Sequence, residues 1–217
     1  MSTSNDSATM DLRARRRLVI RNTISRVANR LFLERGFDHV TVEEIAAGAE
    51  VGRMTMFNHF PRKEDMFFDH DEQGRELLRA ILRERAPDVS PGEALRRLAH
   101  HLVAEGSPYI RFTPGGQRSV ETIEASETLK ARVRALRDEV AQLIAVVMAE
   151  GAGREADDAD AHLAADMLLA TWSVALIQSH RRYRRDQDAA RAAATFLALI
   201  DQGTLGVKAA MAGTPFG

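Results

Sequence analysis

The sequence predicts an all-α protein of about nine helices. Apolar residues recur at three- and four-residue spacing along most of the chain, the period of a helix with one buried face. No stretch alternates apolar and polar residues with the period of a strand. Helix-starting and helix-ending signals fall at the ends of the periodic stretches. No internal repeat is seen.

The N-terminal residues are rich in Ser, Thr, Asn and Asp and are expected to form a disordered arm over 1–11. From Leu12 to Arg35, Ile20, Ile24, Val27, Ala28, Leu31 and Phe32 make one amphipathic helix, and Gly36 is placed to end it. Thr41 opens a second helix, because Thr41-x-x-Glu44 is a capping box in which each residue satisfies a backbone N–H of the other. Ala46, Ala47 and Ala49 keep that helix thin. A break at Glu50–Gly52 precedes a helix from about Arg53 to Phe60, stopped by Pro61. A fourth helix is expected from Arg62 to Arg85, with Glu64 and Asp65 suiting the positive end of its dipole.

Pro91-Gly92-Glu93 starts a helix reaching about Glu105. The run GSPYIRFTPGGQ over 106–117 contains five Gly/Pro breakers and reads as a loop or short broken helix. A helix from Ser126 to Glu150 follows, then the loop GAGREADDAD, then helices over Ala159 to Arg184 and Asp186 to Met211. The expected division is the arm over 1–11, a domain of short helices over 12–62 and a larger helical domain over 63–217.

Composition narrows the function. The chain has 217 residues, 45% of them hydrophobic, enough for one large or two small domains. It has no Cys, which excludes disulfides, thiolate metal sites and cysteine nucleophiles and fits a reducing cytoplasm, the expected location. No apolar run approaches the roughly 20 residues of a membrane helix. The N-terminus has basic residues with no apolar core after them, so neither a signal peptide nor a membrane partner is expected. Net charge is −1, but residues 1–65 hold 11 basic against 9 acidic side chains, eight of the basic ones between Arg13 and Arg35. A basic N-terminal part on an acidic body is compatible with local phosphate contact, and equally with a solvated helix face.

Residues 41–63, TVEEIAAGAEVGRMTMFNHFPRK, carry the functional signal. They form two short helices with a tight turn, the arrangement that presents a helix to the major groove of DNA. Val40, Val42, Ile45, Val51, Met56 and Phe60 are spaced to build a core with Phe32 and Phe37. That leaves Arg53, Met54, Thr55, Phe57, Asn58 and His59 on the other faces. Arg grips guanine bidentately, Asn grips adenine, and Thr or Met touches a thymine methyl. His59 and Lys63 lie where phosphates would be reached.

ERGF at 34–37, TVEEIA at 41–46 and FNHFPRKEDMF at 57–67 resemble the DNA-binding domain of the tetracycline-repressor (TetR) family, a likeness covering residues 20–68. The resemblance implies that Thr41 holds a phosphate at its helix N-terminus. It implies that Arg53, Met54 and Thr55 address bases, and that position 57, His59 and Lys63 address the backbone. Three positions depart from the family pattern. The turn glycine is Glu50, expected to cost about 1 kcal/mol in a left-handed conformation. The serine before the recognition helix is Gly52, a weaker N-cap. The frequent tyrosine is Phe57, which lacks a hydroxyl for a phosphate.

The resemblance implies a homodimer through the last two helices, a small-molecule effector and a double-stranded DNA operator. Leu163, Met167, Ala170, Val174 and Ile177 form one stripe, and Phe196, Leu197, Ile200 and Leu205 another. Each stripe serves either a partner or the monomer core. Tyr109, Phe112, Met148 and Trp172 are candidate pocket residues, with His101, Arg111 or Gln178 as polar handles. His100 and His101 are adjacent and cannot share a face. Arg13, Arg15, Arg16 and Arg17 form either an arm into the minor groove or a solvated basic tail.

Asp69, His70, Asp71 and the pair His162/Asp166 have the composition of metal ligands, but such spacing is common on solvated faces, and no metal or cofactor is expected. No nucleophile elbow, phosphate loop or H-E-x-x-H helix appears, so no catalytic residue is nominated and no enzyme is expected. The expected function is a DNA-binding transcriptional repressor released by a ligand. The alternative is a helical small-molecule-binding module that has lost DNA readout, supported by Glu50, Gly52 and Phe57.

Overall fold

The structure is a computed structural model that describes residues 3–69 and 71–217, with side chains from residue 15 onward. Ten helices and no strand occur among the described residues: α1 (Thr3–Arg35), α2 (Val42–Gly48), α3 (Arg53–His59), α4 (Lys63–Phe67), α5 (Asp71–Glu84), α6 (Pro91–Ala104), α7 (Pro114–Ala125), α8 (Glu127–Gly151), α9 (Ala159–Asp186) and α10 (Ala189–Ala210). The chain divides into two compact units.

The first unit comprises Met1–Asp69 and Thr122–Leu129. Helix α1 starts at Thr3, so the expected disordered arm over 1–11 is helical from that point; Met10, Leu12, Arg13 and Ala14 are good helix formers that carry the helix upstream. Met1, Ser2 and the Arg13 side chain lie outside the described residues. Gly36 ends α1 in a left-handed conformation, φ +86°, with its N–H on the Phe32 carbonyl at 2.9 Å. Ile24, Ala28, Phe32, Phe37, Val40, Ile45, Met56, Phe60 and Met66 form the core, with Val42 and Val51 half-buried at its edge. Leu129, at the start of α8, is fully buried in the same core, and the Ser126 hydroxyl donates to Asp38 at 2.9 Å. The first unit thus borrows a corner from much later in the sequence, and its first segment runs to Asp69.

The single helix expected over 62–85 is two. Asn29 Nδ2 donates to the Met66 carbonyl at 3.0 Å, and the Ser25 hydroxyl reaches the same oxygen at 3.4 Å. Those α1 side chains satisfy a carbonyl at the end of α4. Phe67 and Phe68 then both pack on the core, their rings 5.1 Å apart, as neighbours on a regular helix would not.

The second unit comprises His70–Glu121 and Lys130–Gly217. Its core gathers Leu82, Leu95, Leu98, Ala99, Ile144, Met148, Ala165, Leu168, Phe196 and Ile200 from α5, α6, α8, α9 and α10. Helices α9 and α10 form the closest pairing. At Gly203 any Cβ would sit 2.2 Å from the Thr171 methyl, so only glycine permits this approach. Ser90 caps α6, accepting from the Glu93 N–H at 3.3 Å, with Pro91 at the first helical position.

The run over 106–117 hides the start of α7. Thr113 accepts the Gly116 N–H at 3.2 Å and Pro114 occupies the first turn, so the breakers open a helix. Helix α9 is, by length and composition alone, long and apolar enough to cross a membrane, more apolar than the sequence reading expected. Its buried face packs on α10, as a core helix does.

Candidate nucleic-acid interface

The capping box at the start of α2 forms as the sequence predicts. The Glu44 N–H donates to the Thr41 hydroxyl at 3.2 Å, and the Thr41 N–H donates to the Glu44 carboxylate at 2.8 Å. The Thr41 hydroxyl donates to the same carboxylate at 3.0 Å. These bonds, with Arg35 2.8 Å from the other oxygen, hold the Glu44 carboxyl down at about 2. In this arrangement Thr41 has both its N–H and its hydroxyl engaged by Glu44, so its implied phosphate contact requires a rearrangement of the box.

The turn between α2 and α3 is intact despite its unusual residues. Glu50 adopts φ +54°, the left-handed conformation usually left to glycine, and Val51 N–H closes on the Ala46 carbonyl at 3.0 Å. Gly52 occupies the N-cap of α3 and provides no side-chain bond. Glu50→Gly is expected to stabilise the first unit by about 1 kcal/mol by relieving the left-handed Cβ, part of the gain being offset by a more flexible unfolded chain. Chemical denaturation of the two proteins measures it; an unchanged or lower midpoint would show that Glu50 is not strained.

Helix α3 turns Met56 into the core, and Phe60 follows it inward just beyond the helix. Arg53, Met54, Phe57 and Asn58 are exposed as one outward face, Met54 at 76%. Thr55 and His59 are half-buried at its edges. In this state Arg53 pairs with Glu43 of α2 at 2.9 Å and lies 5.6 Å from the centre of the Phe57 ring. Both charges are well exposed, so the pair is weak and its guanidinium is readily released to an anion or a guanine edge.

Two predicted backbone contacts are occupied in other ways. Lys63 is half-buried, donating to the Phe37 carbonyl at 2.8 Å and the Val40 carbonyl at 2.9 Å, with its ammonium 4.1 Å from the Phe37 ring centre. It ties the 37–40 loop to α4, and two of its three donors are committed there. His59 has a buried Nδ1 without a partner. Burial, then the nearby Arg17 and Arg21 cations, push its pKa below the ordinary histidine value. Arg21 itself reaches this end of α3, which sequence reasoning missed; it was one basic residue among eight.

The predicted effector residues do not share one environment. His101, Arg111 and Gln178 are exposed, as is Tyr109, while Met148 is fully buried in the core and Phe112 nearly so. Phe112 and Trp172 both pack on Phe196, at ring distances of 6.3 and 5.7 Å. Phe112 also meets the His180 ring edge-on at 5.1 Å, and His180 keeps a buried, unpartnered Nδ1. His180, two turns beyond Trp172 on α9, is thus the polar side chain that meets Phe112. A separate cavity of about 410 Å³ is lined by Pro91, Arg96, Asp201, Leu205, Lys208 and Phe216, none of them predicted. Arg96 there is paired with Glu93 at 2.7 Å and Asp201 at 3.1 Å, so its charges answer one another. No group of three metal-ligating side chains occurs among the described residues; His70, from the Asp69–His70–Asp71 candidate, lies outside them.

His59 and His180 are both shifted down, in each case first by burial. The unfolded chain then binds more protons than the folded one in the ordinary histidine range, so stability rises with pH there. The melting temperature is expected to fall as pH is lowered from about 7.5 to about 5.5, and the His59→Gln/His180→Gln variant to fall less. Equal slopes would assign the effect elsewhere. The low Glu44 and Glu93 carboxyls, both at about 2, act in a separate window below 4.5.

The comparisons bear on this geometry directly. Residues 24–69, which span α2, α3 and α4, match the model of bacterial regulatory proteins of the tetR family. Over these residues the chain resembles the DNA-binding domain of the TetR family. TcmR of Streptomyces glaucescens, a helix-turn-helix transcriptional regulator, is 36% identical over 84 residues, covering 39% of this chain and 37% of TcmR. The match therefore spans little more than a third of that relative. Solved structures share the TetR-like fold over most of both chains. SmeT in complex with triclosan has a TM-score of 0.57 at 18% identity, over 87% of this chain and 91% of its own. GusR of Salmonella enterica has 0.54 at 19%, over 88% and 95%. NalD of Pseudomonas aeruginosa has 0.52 at 22%, over 86% and 97%.

Proposed function

We propose that this protein is a TetR-family transcriptional repressor that binds a two-fold DNA operator as a homodimer and leaves it when a small molecule binds. The observation that carries the reading is the outward face of α3, where Arg53, Met54, Phe57 and Asn58 stand free of the core on a helix whose inner residues are fully buried. Arg and Asn supply bidentate base contacts, and Met54 and Phe57 supply apolar ones. NalD is described as the secondary repressor of a multidrug efflux pump, and SmeT was solved with triclosan. Those descriptions support repression and effector release as the functions to test in this chain.

A two-fold operator needs two recognition helices. Helix α9 offers the surface that would join two copies. Leu163, Ala170, Val174 and Ile177 are exposed along one stripe. Soluble monomers rarely leave such a stripe open. On α10, Leu205 is exposed at 69%, but Phe196 and Ile200 are fully buried in the monomer core and Leu197 packs against it. The second stripe read from the sequence therefore belongs mostly to the core.

The test begins with a DNA duplex selected by the protein from a randomised pool. Arg53→Ala/Thr55→Ala is expected to weaken binding to that duplex by about tenfold to a hundredfold, the cost of one or two base contacts, and to weaken a scrambled duplex much less. Unchanged affinity for the selected duplex would favour a binding module without DNA readout.

A further inference from the structure

Arg21, near the middle of α1, makes three contacts at one place. Its Nη1 donates to the His59 carbonyl, the last residue of α3, at 2.7 Å. Its guanidinium lies 4.2 Å from the centre of the Phe60 ring, the residue that caps α3. Its Nε is 2.6 Å from the Asp69 carboxylate, a charge contact rather than an aligned hydrogen bond. The Asp69 side chain is only 6% exposed, so this carboxylate has little water to fall back on.

We propose that Arg21 is the positioning residue of the recognition helix, fixing the exit of α3 to α1 and to Asp69 so that Arg53, Met54, Phe57 and Asn58 meet base edges in register. The inference rests on the DNA-binding reading above. The geometry demands arginine. Only its planar guanidinium can give one N–H to a carbonyl, set another edge toward a carboxylate and lay its face on a ring. The rest of α3 lacks equivalent support. Gly52 gives its N-terminus no side-chain bond, and the Arg53–Glu43 pair is exposed. The helix has only seven residues, so its C-terminal fixing decides where the whole reading face points.

Arg21 is itself partly exposed, so a direct phosphate contact is the competing role. The two roles separate by what they do to different DNAs. A lost phosphate contact weakens all sequences alike and reduces the salt slope by about 1. A lost positioning contact weakens the selected sequence and leaves the scrambled one.

The experiment compares the full-length wild type with Arg21→Lys and Arg21→Gln/Asp69→Asn. Fluorescence anisotropy is measured on the duplex selected by the wild type and on a scrambled duplex, each at several salt concentrations. Lysine keeps the charge opposite Asp69, and the double variant removes both charges together, so neither strands a buried carboxylate. Arg30→Lys, at an exposed arginine of the same helix, is the control, since it and both Arg21 variants leave the net charge unchanged. The expected result is about a tenfold or greater loss on the selected duplex for both Arg21 variants, with scrambled binding and salt slope close to those of the wild type and of Arg30→Lys. Equal losses on both duplexes, or an Arg21→Lys protein that binds the selected duplex like the wild type, would overturn the positioning role. A wild type that selects no sequence at all would instead sink the DNA-binding reading, and this inference with it.

Discussion

Phe60→Ala is expected to destabilise the DNA-binding unit by about 3–5 kcal/mol, the usual cost of deleting a buried phenyl ring. Phe60 is fully buried in a small core beside Phe32, Met56 and Met66, so collapse around the gap is limited. It also carries the stacked face of Arg21 at 4.2 Å, which would then lose that support. Urea unfolding followed by helical circular dichroism measures the effect. The transition belonging to this unit should shift to lower urea while that of the second unit stays in place. A loss below about 1 kcal/mol would show that the Phe60 ring is not the anchor its burial indicates.

The second large effect is expected at the exposed stripe of α9. Val174→Glu/Ile177→Glu places two charges where two copies would meet. Ile177 is 50% exposed in the single chain, so a solvated glutamate there costs the monomer little. In a closed interface the same charges would lie unpaired and desolvated, which costs several kcal/mol. The expected outcome is a wild type that sediments as a dimer and a variant that sediments as a folded monomer with unchanged helix content. Operator affinity should fall by about a hundredfold or more, because half-sites no longer bind as a linked pair. A variant that remains dimeric would move the interface elsewhere on the molecule.

What could be read from the sequence had local causes. Gly36, the Thr41/Glu44 box and Pro61 each act within a few residues, and the structure places the ends of α1 and α3 and the start of α2 where those signals put them. The strained Glu50 turn and the bare Gly52 cap were visible for the same reason. What could not be read depends on distant partners. Helix α4 stops because Ser25 and Asn29 of α1 take its Met66 carbonyl. Leu129 joins the DNA-binding core from a position far along the chain. Arg21 shows its place only when α1, the end of α3 and Asp69 are brought together. Helix α7 was hidden for a different reason: Pro114, Gly115 and Gly116 look like breakers, and Thr113 before Pro114 was the overlooked sign of a start.

The aromatic residues of the second unit divide along the same line. Phe112 and Trp172 gather around Phe196. The polar side chain that meets Phe112 is His180, while Gln178 is exposed, and helical phase alone did not separate the two.

The central claim is sequence-specific DNA binding by a symmetric pair of α3 helices. Selection from a randomised duplex pool, followed by footprinting of the enriched sequence, tests it most directly. The expected result is an enriched two-fold site protected in two patches about one helical turn apart, roughly 34 Å, by two protein chains. A pool that shows no enrichment, with salt-sensitive binding of equal strength to every sequence, would contradict it.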